Sequence, residues 1–225
     1  MLSFFQSIEN FDKNLFLFLN GMHCTFFDHF MLMVTGKFIW IAMYAGILYV
    51  LIKNFHWKVA LACTLCIAFT IVIADQVTAS LVRPLVERPR PSNPASPIAN
   101  LVHIVNDRRG GGFGFPSCHA ANTFGLASFL LLTLRMRILN FFIICWALLN
   151  CYSRIYLGLH YPGDLLVGTA IGFLAALLTY SLLRYLYKDE IRKPIQNSGV
   201  ITYIGGSIIF GIVIYSAIMT FLFIH

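Results

Sequence analysis

Charged side chains are scarce in this sequence. Lysine and arginine number 16 and aspartate and glutamate 9, so charged residues make up 11% of the 225 positions. A soluble domain usually has about 25% charged residues and could not cover a water-facing surface with so few. Hydrophobic residues reach 59%, and the mean hydropathy is +0.78. These values exclude a soluble enzyme, a disordered tail and a nucleic-acid-binding module, although the net charge is +7.

Patterns typical of a disulfide framework or a metal site are also missing. Most of the cysteines lie inside apolar runs, where a thiol behaves as a small hydrophobic side chain. Cys63 and Cys66 form a C-x-x-C pair, which allows a redox or zinc site, but no second pair of ligands lies nearby. We interpret both as buried core cysteines. Because the sequence also has no carboxylate cluster and no histidine-rich set, we expect a metal-free mechanism without a cofactor.

Long apolar runs dominate instead. About 20 apolar residues are needed to cross the hydrocarbon core, and six segments qualify: 32–52, 59–82, 117–134, 138–153, 164–187 and 200–224. Residues 3–20 differ, because apolar residues at helical spacing are interrupted by Glu9, Asp12 and Lys13. This pattern predicts an amphipathic helix in the membrane interface, and a seventh span is the alternative. The predicted fold is all-α: an integral membrane six-helix bundle with an N-terminal interfacial helix.

The connections between the spans predict the topology. We expect one domain over residues 1–225, with an interfacial segment at 1–30 and a long exterior loop at 83–116, between spans two and three, that contributes to the active site. Short links and helix ends on the opposite side are basic, which the positive-inside rule assigns to the cytoplasm. These basic residues are Lys53, Lys58, Arg135, Arg137, Arg184, Lys188, Arg192 and Lys193.

Three polar clusters lie at helix ends on the exterior side. They are Arg83-x6-Arg90-Pro91, then Pro116-Ser117-Cys118-His119, and then Ser153-Arg154-x5-His160-x3-Asp164. A bundle would bring these ends together. Arginines offer planar charged forks to phosphate oxygens, and a helix that begins near Ser117 offers free N–H groups to an anion. The clusters therefore predict an oxyanion site.

The histidines and one aspartate add reactive groups to this site. His119 and His160 could supply an acid and a nucleophile. Asp164, in the first turn of span five, could accept from one imidazole nitrogen of His160 and leave the other free to attack.

Simpler interpretations compete for individual residues. Arg83 and Arg154 taken singly could be anchors that extend to the interface, but anchors are expected on the cytoplasmic side. Arg88 is interpreted as a loop charge or a site residue with equal weight. Lys37 and Asp75 lie inside spans, where charges are costly and usually paired. Asp75 is expected either to position Arg83 or to pair with Lys37.

In these three motifs the sequence resembles the type 2 phosphatidic acid phosphatase (PAP2) superfamily of membrane lipid phosphatases. The family signature is K-x6-R-P, P-S-G-H and S-R-x5-H-x3-D, and the three motifs occur here in that order. Two positions depart from it, because Arg83 replaces the lysine and Cys118 replaces the glycine. Arginine keeps the charge but brings a wider fork, and a side chain at position 118 narrows the pocket.

The resemblance implies a role for each residue. His160 attacks phosphorus to form a phosphohistidine, Asp164 orients His160, and His119 protonates the leaving oxygen. The substrate phosphate is held by Arg83, Arg90, Ser117, Cys118 and Arg154. No metal takes part, and the partners are a lipid phosphate and the bilayer, with the oligomeric state left open.

The resemblance also implies a lipid phosphate or diphosphate phosphatase at the exterior face of a bacterial cytoplasmic membrane. Undecaprenyl diphosphate is the first expectation for its substrate, and lipid A is the alternative, ahead of phosphatidic acid and phosphatidylglycerol phosphate. A lipid phosphotransferase is a second hypothesis. A non-catalytic anion or lipid transporter is a remote third, since it has no need for the His160–Asp164 spacing.

Overall fold

Helices account for most of the chain. The computed structural model describes the backbone of residues 2–224 and the side chains of residues 4 and 6–222; Met1 and His225, the ends of the predicted domain, lie outside this range. No β-strand occurs within residues 2–224, so the all-α prediction is confirmed. The helices are α1 (Leu2–Asn20), α2 (Thr25–Val34), α3 (Ile41–Asn54), α4 (Trp57–Gln76), α5 (Arg83–Val86), α6 (Cys118–Leu134), α7 (Arg137–Tyr156), α8 (Pro162–Tyr187) and α9 (Gly199–Ile224).

The helices differ in their capacity to cross a membrane. Within the described residues, four are long and apolar enough: Trp57–Val86, Arg137–Tyr156, Pro162–Tyr187 and most of α9. The first is α4 joined to α5 through a π-helical segment, Val77–Val82. Helix α6 has 17 residues and is about 25 Å long, which is slightly less than the hydrocarbon core. The prediction of six spans therefore stays a prediction.

The first predicted span, 32–52, is not one continuous helix. Helix α2 ends at Val34, a short 3₁₀ turn covers Phe38–Trp40, and the two halves of this pair are bent by 67°. The break contains Gly36, and the side chain of Thr35 accepts a hydrogen bond from Arg154 Nη1 at 2.8 Å. The bend therefore directs the chain toward the end of α7 that carries Arg154. The length of the apolar run alone predicts an uninterrupted span here.

Helix α1 is amphipathic, as the sequence predicts. Its buried face includes Asp12 and Phe16, while Phe4, Phe11 and Phe18 are exposed. At its C-terminus, Asn20 Nδ2 donates to the Tyr156 carbonyl at 2.8 Å, which fixes the helix to the end of α7. This contact holds α1 on the bundle, and its location in the membrane interface stays a prediction.

Helices α6 and α8 approach closely through glycines. A Cβ on Gly172 would lie 2.1 Å from the Ala121 carbonyl oxygen, and a Cβ on Gly168 would lie 2.4 Å from the Ser117 carbonyl oxygen. Small residues at four-residue spacing let membrane helices pack with their backbones in contact. Because Ser117 caps α6, this packing also determines where the first turn of α6 lies relative to α8.

Replacing Gly172 by alanine is expected to destabilise the bundle, because the added methyl group overlaps backbone that cannot move alone. We expect a loss of about 2 kcal/mol, the usual cost of overpacking, measured as a lower thermal unfolding midpoint in detergent. Gly211→Ala in α9 is the matched control, since a Cβ at Gly211 meets nothing within 4 Å. Equal midpoints for the two variants would contradict the packing argument.

The long loop between α5 and α6 folds back over the helix ends. Pro89 and Phe113 form an isolated antiparallel β-bridge, and the Arg90 N–H donates to the Gly112 carbonyl at 3.2 Å. The Ser92 N–H donates to the Gly158 carbonyl at 3.1 Å, which joins the loop to the link between α7 and α8. The loop is therefore ordered by pairing with itself and with this link, and this pairing holds the backbone of Arg90 in place.

Candidate active site

A cavity of about 680 Å³ extends from the helix ends that carry the three polar motifs into the bundle. Its polar end is lined by Arg83, Arg90, Cys118, His119, Arg154 and His160. Its walls continue along apolar side chains of α3, α4 and α6, among them Ile47, Leu51, Ile67, Ile71 and Leu126. The three sequence motifs thus meet at one end of a pocket whose other end is largely hydrophobic.

His160 lies in the link between α7 and α8 and is buried, with 2% of its surface exposed. Its Nδ1 is 3.4 Å from Asp164 Oδ2, and its Nε2 is 3.0 Å from Arg90 Nη1. Asp164 lies in the first turn of α8, which begins at Pro162; proline suits that position because its missing N–H has no partner there anyway. The imidazole therefore has one nitrogen toward Asp164 and the other toward the arginines.

The tautomer of His160 follows from its neighbours. A guanidinium can only donate, so Nε2 accepts from Arg90 and the proton of the neutral ring is on Nδ1, facing Asp164. Burial lowers the pKa of His160 well below its ordinary value of 6.5, and the positive charges of Arg90 and Arg154 lower it further. The ring is therefore neutral at physiological pH, with the Nε2 lone pair on the cavity side.

Unused hydrogen-bond donors surround the polar end of the cavity. The Nε atoms of Arg83, Arg90 and Arg154 are buried without a partner, and so is His119 Nε2. Buried polar groups normally have partners, because leaving one unpaired costs about 1–3 kcal/mol. Three charged donors without acceptors around one space are complementary to an anion with several oxygens, such as a phosphate group.

The N-terminus of α6 forms one side of this space. Ser117 is its N-cap: the hydroxyl accepts from the Ala120 N–H at 3.3 Å, and the Ser117 N–H donates to the Asp164 carbonyl at 3.0 Å. Cys118 Sγ accepts from Arg83 Nη2 at 2.9 Å and from Thr78 Oγ1 at 3.1 Å. Ser117 thus holds the helix end in place, while Cys118 takes up part of the hydrogen-bonding capacity of Arg83.

Arg88 contacts the site, although the sequence offered a loop charge as an equal interpretation. Its Nη1 lies 2.9 Å from Asp164 Oδ1 and 2.7 Å from Asp12 Oδ2. The guanidinium also covers the Tyr161 ring at 3.8 Å, a cation–π distance. Arg88 therefore joins α1 to the carboxylate that faces His160. The sequence contains one signal for the placement of Arg88 at the site. Arg88 and Arg90 alternate with Pro89, and an extended segment directs alternate side chains to one side.

Both expected pairings of Asp75 are wrong. Among the described residues its carboxylate forms no ion pair with Lys37 or Arg83; Asn122 Nδ2 donates to Asp75 Oδ1 at 3.3 Å instead. Arg83 uses its Nη2 on the Pro116 carbonyl and on Cys118. Lys37, Asp75 and Asn122 all line the cavity, so these polar groups of the spans face the pocket.

Residues 64–188 match the PAP2 superfamily. The chain belongs to that superfamily. The matched region covers more than half of the sequence, including all three polar motifs and helices α6 to α8. As a PAP2 protein, the chain is a membrane lipid phosphatase. In residues 2–224, no group of three or more His, Cys, Asp or Glu side chains is arranged to hold a metal ion.

Two named relatives match most of this chain. A lipid A 4′-phosphatase from Bacteroides thetaiotaomicron is 52% identical over 223 residues, which are 96% of this chain and 99% of the relative. A lipid A 4′-phosphatase from Porphyromonas gingivalis is 33% identical over 176 residues, which are 78% of this chain and 73% of that one.

A solved structure shares the fold. The crystal structure of LpxE from Aquifex aeolicus superposes with a TM-score of 0.56 at 21% identity, covering 75% of this chain and 93% of the other.

Proposed function

We propose that this protein removes the 4′-phosphate of lipid A at the exterior face of the bacterial inner membrane. The observation that carries the proposal is the convergence of Arg83, Arg90 and Arg154, each with a buried Nε that has no partner, around the His160 side chain, whose Nε2 lies 3.0 Å from Arg90 Nη1. The mainly apolar walls of the same cavity suit a substrate whose tails stay in the membrane. The basic residues at the opposite ends of the helices support the orientation.

The choice of lipid A changes the order of the substrates expected from sequence. The motifs alone favoured undecaprenyl diphosphate, because small bacterial family members often take it, with lipid A as the alternative. Two relatives named lipid A 4′-phosphatase, one of them matched over nearly its full length, support the alternative better.

The first chemical step uses His160 as the nucleophile. When the phosphate binds, Arg90 exchanges its hydrogen bond to Nε2 for one to a phosphate oxygen, which releases the Nε2 lone pair. Nε2 then attacks phosphorus as the bond from phosphorus to the lipid oxygen breaks. His119, which enters this step as the imidazolium, gives its proton to the leaving oxygen and becomes neutral, while Asp164 holds the Nδ1 proton of His160 and stabilises that ring as it becomes positive.

The second step returns the enzyme to its starting state. A water molecule attacks the phosphohistidine, the bond from phosphorus to Nε2 breaks, and His119 accepts the proton from water. Inorganic phosphate leaves. In both steps Arg83, Arg90, Arg154 and the α6 N-terminus capped by Ser117 hold the oxygens, with Cys118 at the same helix end. Fixed charges of this kind supply most of the stabilisation in phosphoryl transfer.

Phosphate release from a lipid panel tests the proposed substrate. The purified protein is offered lipid A with both phosphates, lipid A with only the 1-phosphate, undecaprenyl diphosphate and phosphatidic acid. We expect kcat/KM for the 4′-phosphate to exceed the others by about tenfold or more, with phosphate free in solution. Faster turnover of undecaprenyl diphosphate would contradict the substrate, and phosphate appearing on a second lipid would identify a phosphotransferase.

The pH dependence provides a further prediction. Arg90→Gln removes a positive charge and a donor from His160, so the imidazolium is less disfavoured and the pKa of His160 moves up. The attacking form is the neutral ring; the acid limb of kcat/KM therefore shifts to higher pH, by about one unit, however much activity is lost. Arg108→Gln, an exposed loop change, is the control. An unmoved or lower acid limb in Arg90→Gln would contradict this environment for His160.

A further inference from the structure

A pair of polar residues lies below the phosphate end of the cavity. Asp75 is on α4 and Asn122 is on α6, and both line the pocket. Asn122 Nδ2 donates to Asp75 Oδ1 at 3.3 Å. With the amide turned the other way, two oxygens would face each other, so the orientation with Nδ2 toward the carboxylate is the favourable one.

The pair has hydrogen-bonding capacity that the protein does not use. Asn122 Oδ1 is buried without a partner, and within residues 2–224 no hydrogen bond is formed to Asp75 Oδ2. Asp75 is also the one carboxylate among the residues that line the cavity. Charged groups inside a membrane span are costly and mark binding sites more often than packing. The two unused atoms are both acceptors, so their ligand must be a donor.

The charge of the cavity narrows the chemistry of that donor. Four cationic side chains, those of Lys37, Arg83, Arg90 and Arg154, line the same space. They attract a phosphate but repel an ammonium group, and this disfavours an amine as the partner of Asp75. A neutral donor, namely a hydroxyl or an amide N–H, satisfies both acceptors without adding positive charge.

The position of Asn122 along α6 indicates how far the hydrogen-bond donor of the lipid lies from its phosphate. Asn122 follows Cys118 by four residues and His119 by three on the same helix. It therefore lies about one turn, or roughly 5 Å, deeper in the bundle than the residues at the phosphate. A group at that depth belongs to the part of the lipid just below its phosphate ester, where the headgroup meets the tails.

We propose that Asp75 and Asn122 form a second recognition site, which binds a hydroxyl or amide N–H of the lipid about one helical turn below the phosphate. The inference rests on the proposed function, because it requires a lipid phosphate at the arginines. It deepens that function by adding a requirement: the substrate carries a hydrogen-bond donor near its phosphate, and an ester-linked lipid without one binds more weakly.

Two lipid phosphates with matched tails test the proposal. Ceramide 1-phosphate has an amide N–H and a hydroxyl near the phosphate, and diacyl phosphatidic acid has neither. Dissociation constants are measured in mixed micelles on the full-length chain carrying His160→Ala, so that no ligand is consumed. We expect ceramide 1-phosphate to bind about 10- to 100-fold more tightly, as for a hydrogen bond to a charged group.

Variants at Asp75 and Asn122 test the second recognition site separately from the phosphate site. Asp75→Leu together with Asn122→Leu removes both polar groups at once and leaves neither unpaired, and it is expected to bring the ratio of the two dissociation constants close to one. A ratio measured on one preparation is independent of how much protein is folded. Gln76→Leu, an exposed polar-to-apolar change beside Asp75, is the matched control and should keep the ratio.

Arg83→Gln tests the proposed function in the same assay, because it should weaken both lipids equally and leave the ratio unchanged. Equal binding of the two lipids by the starting protein, or a ratio unaffected by the double change, would overturn the second site and leave the phosphatase proposal standing. Failure of both lipids to bind, or binding that Arg83→Gln does not weaken, would overturn the phosphate site and the inference with it.

Discussion

Replacing His160 by alanine is expected to reduce phosphate release by about 10³-fold or more, since the variant has no group that can attack phosphorus. His160 is buried, with Nδ1 3.4 Å from Asp164 Oδ2 and Nε2 3.0 Å from Arg90 Nη1. The measurement is inorganic phosphate released from lipid A by the wild-type and variant proteins at equal concentrations in detergent.

A second histidine provides the control for this variant. His56 precedes α4 at the opposite end of the bundle, beside the Trp57 ring, and lies outside the cavity. His56→Ala should retain wild-type turnover within about twofold, as expected for a surface change away from the site. If His160→Ala kept more than a tenth of wild-type turnover, the attack would have to come from another group.

Replacing Arg88 by leucine is expected to affect stability and rate together. The change removes the ion-pair partner of Asp164, whose side chain has no exposed surface. It also removes the ion pair between Arg88 and Asp12. Removing one partner of a buried ion pair costs about 3 kcal/mol or more. The carboxylate that faces His160 also loses the contact that positions it, and a misplacement of this kind lowers kcat by about 100-fold.

A double variant separates the two effects of Arg88. Adding Asp164→Asn to Arg88→Leu removes the unpaired charge at position 164 but not the one at Asp12, so the thermal midpoint should recover in part while kcat stays low. Arg88→Lys, which keeps a charge without the planar fork, should lie between wild type and Arg88→Leu in kcat. Arg108→Leu, at an exposed arginine, should change neither quantity. Unchanged kcat in Arg88→Leu would show that Arg88 has no part in positioning Asp164.

Local sequence signals located the helix ends of the site. Ser117 could be predicted as the cap of α6, because a serine before an apolar run satisfies an N–H of the first turn. Pro162 and Asp164 predicted the start of α8 in the same way. These signals act within a few residues, so they also place His119 and His160 at helix ends without any tertiary contact.

Contacts between distant segments could not be predicted. Asp12 and Arg88 are 76 positions apart in the sequence and meet only because α1 packs across the bundle. No local pattern distinguishes an arginine bound to a carboxylate from one in solvent. The bend at Gly36 was hidden for a similar reason: the apolar run continues through it, while the hydrogen bond between Thr35 and Arg154 depends on the fold.

The central claim is that phosphate passes through a covalent bond to His160. The stereochemical course at phosphorus tests it most directly, using a lipid A analogue whose 4′-phosphorothioate is made chiral with oxygen isotopes and is hydrolysed in isotopically distinct water. Two successive in-line displacements, first by His160 and then by water, predict retention of configuration in the released thiophosphate. Inversion would show that water attacks the lipid phosphate directly, and it would contradict the phosphohistidine mechanism.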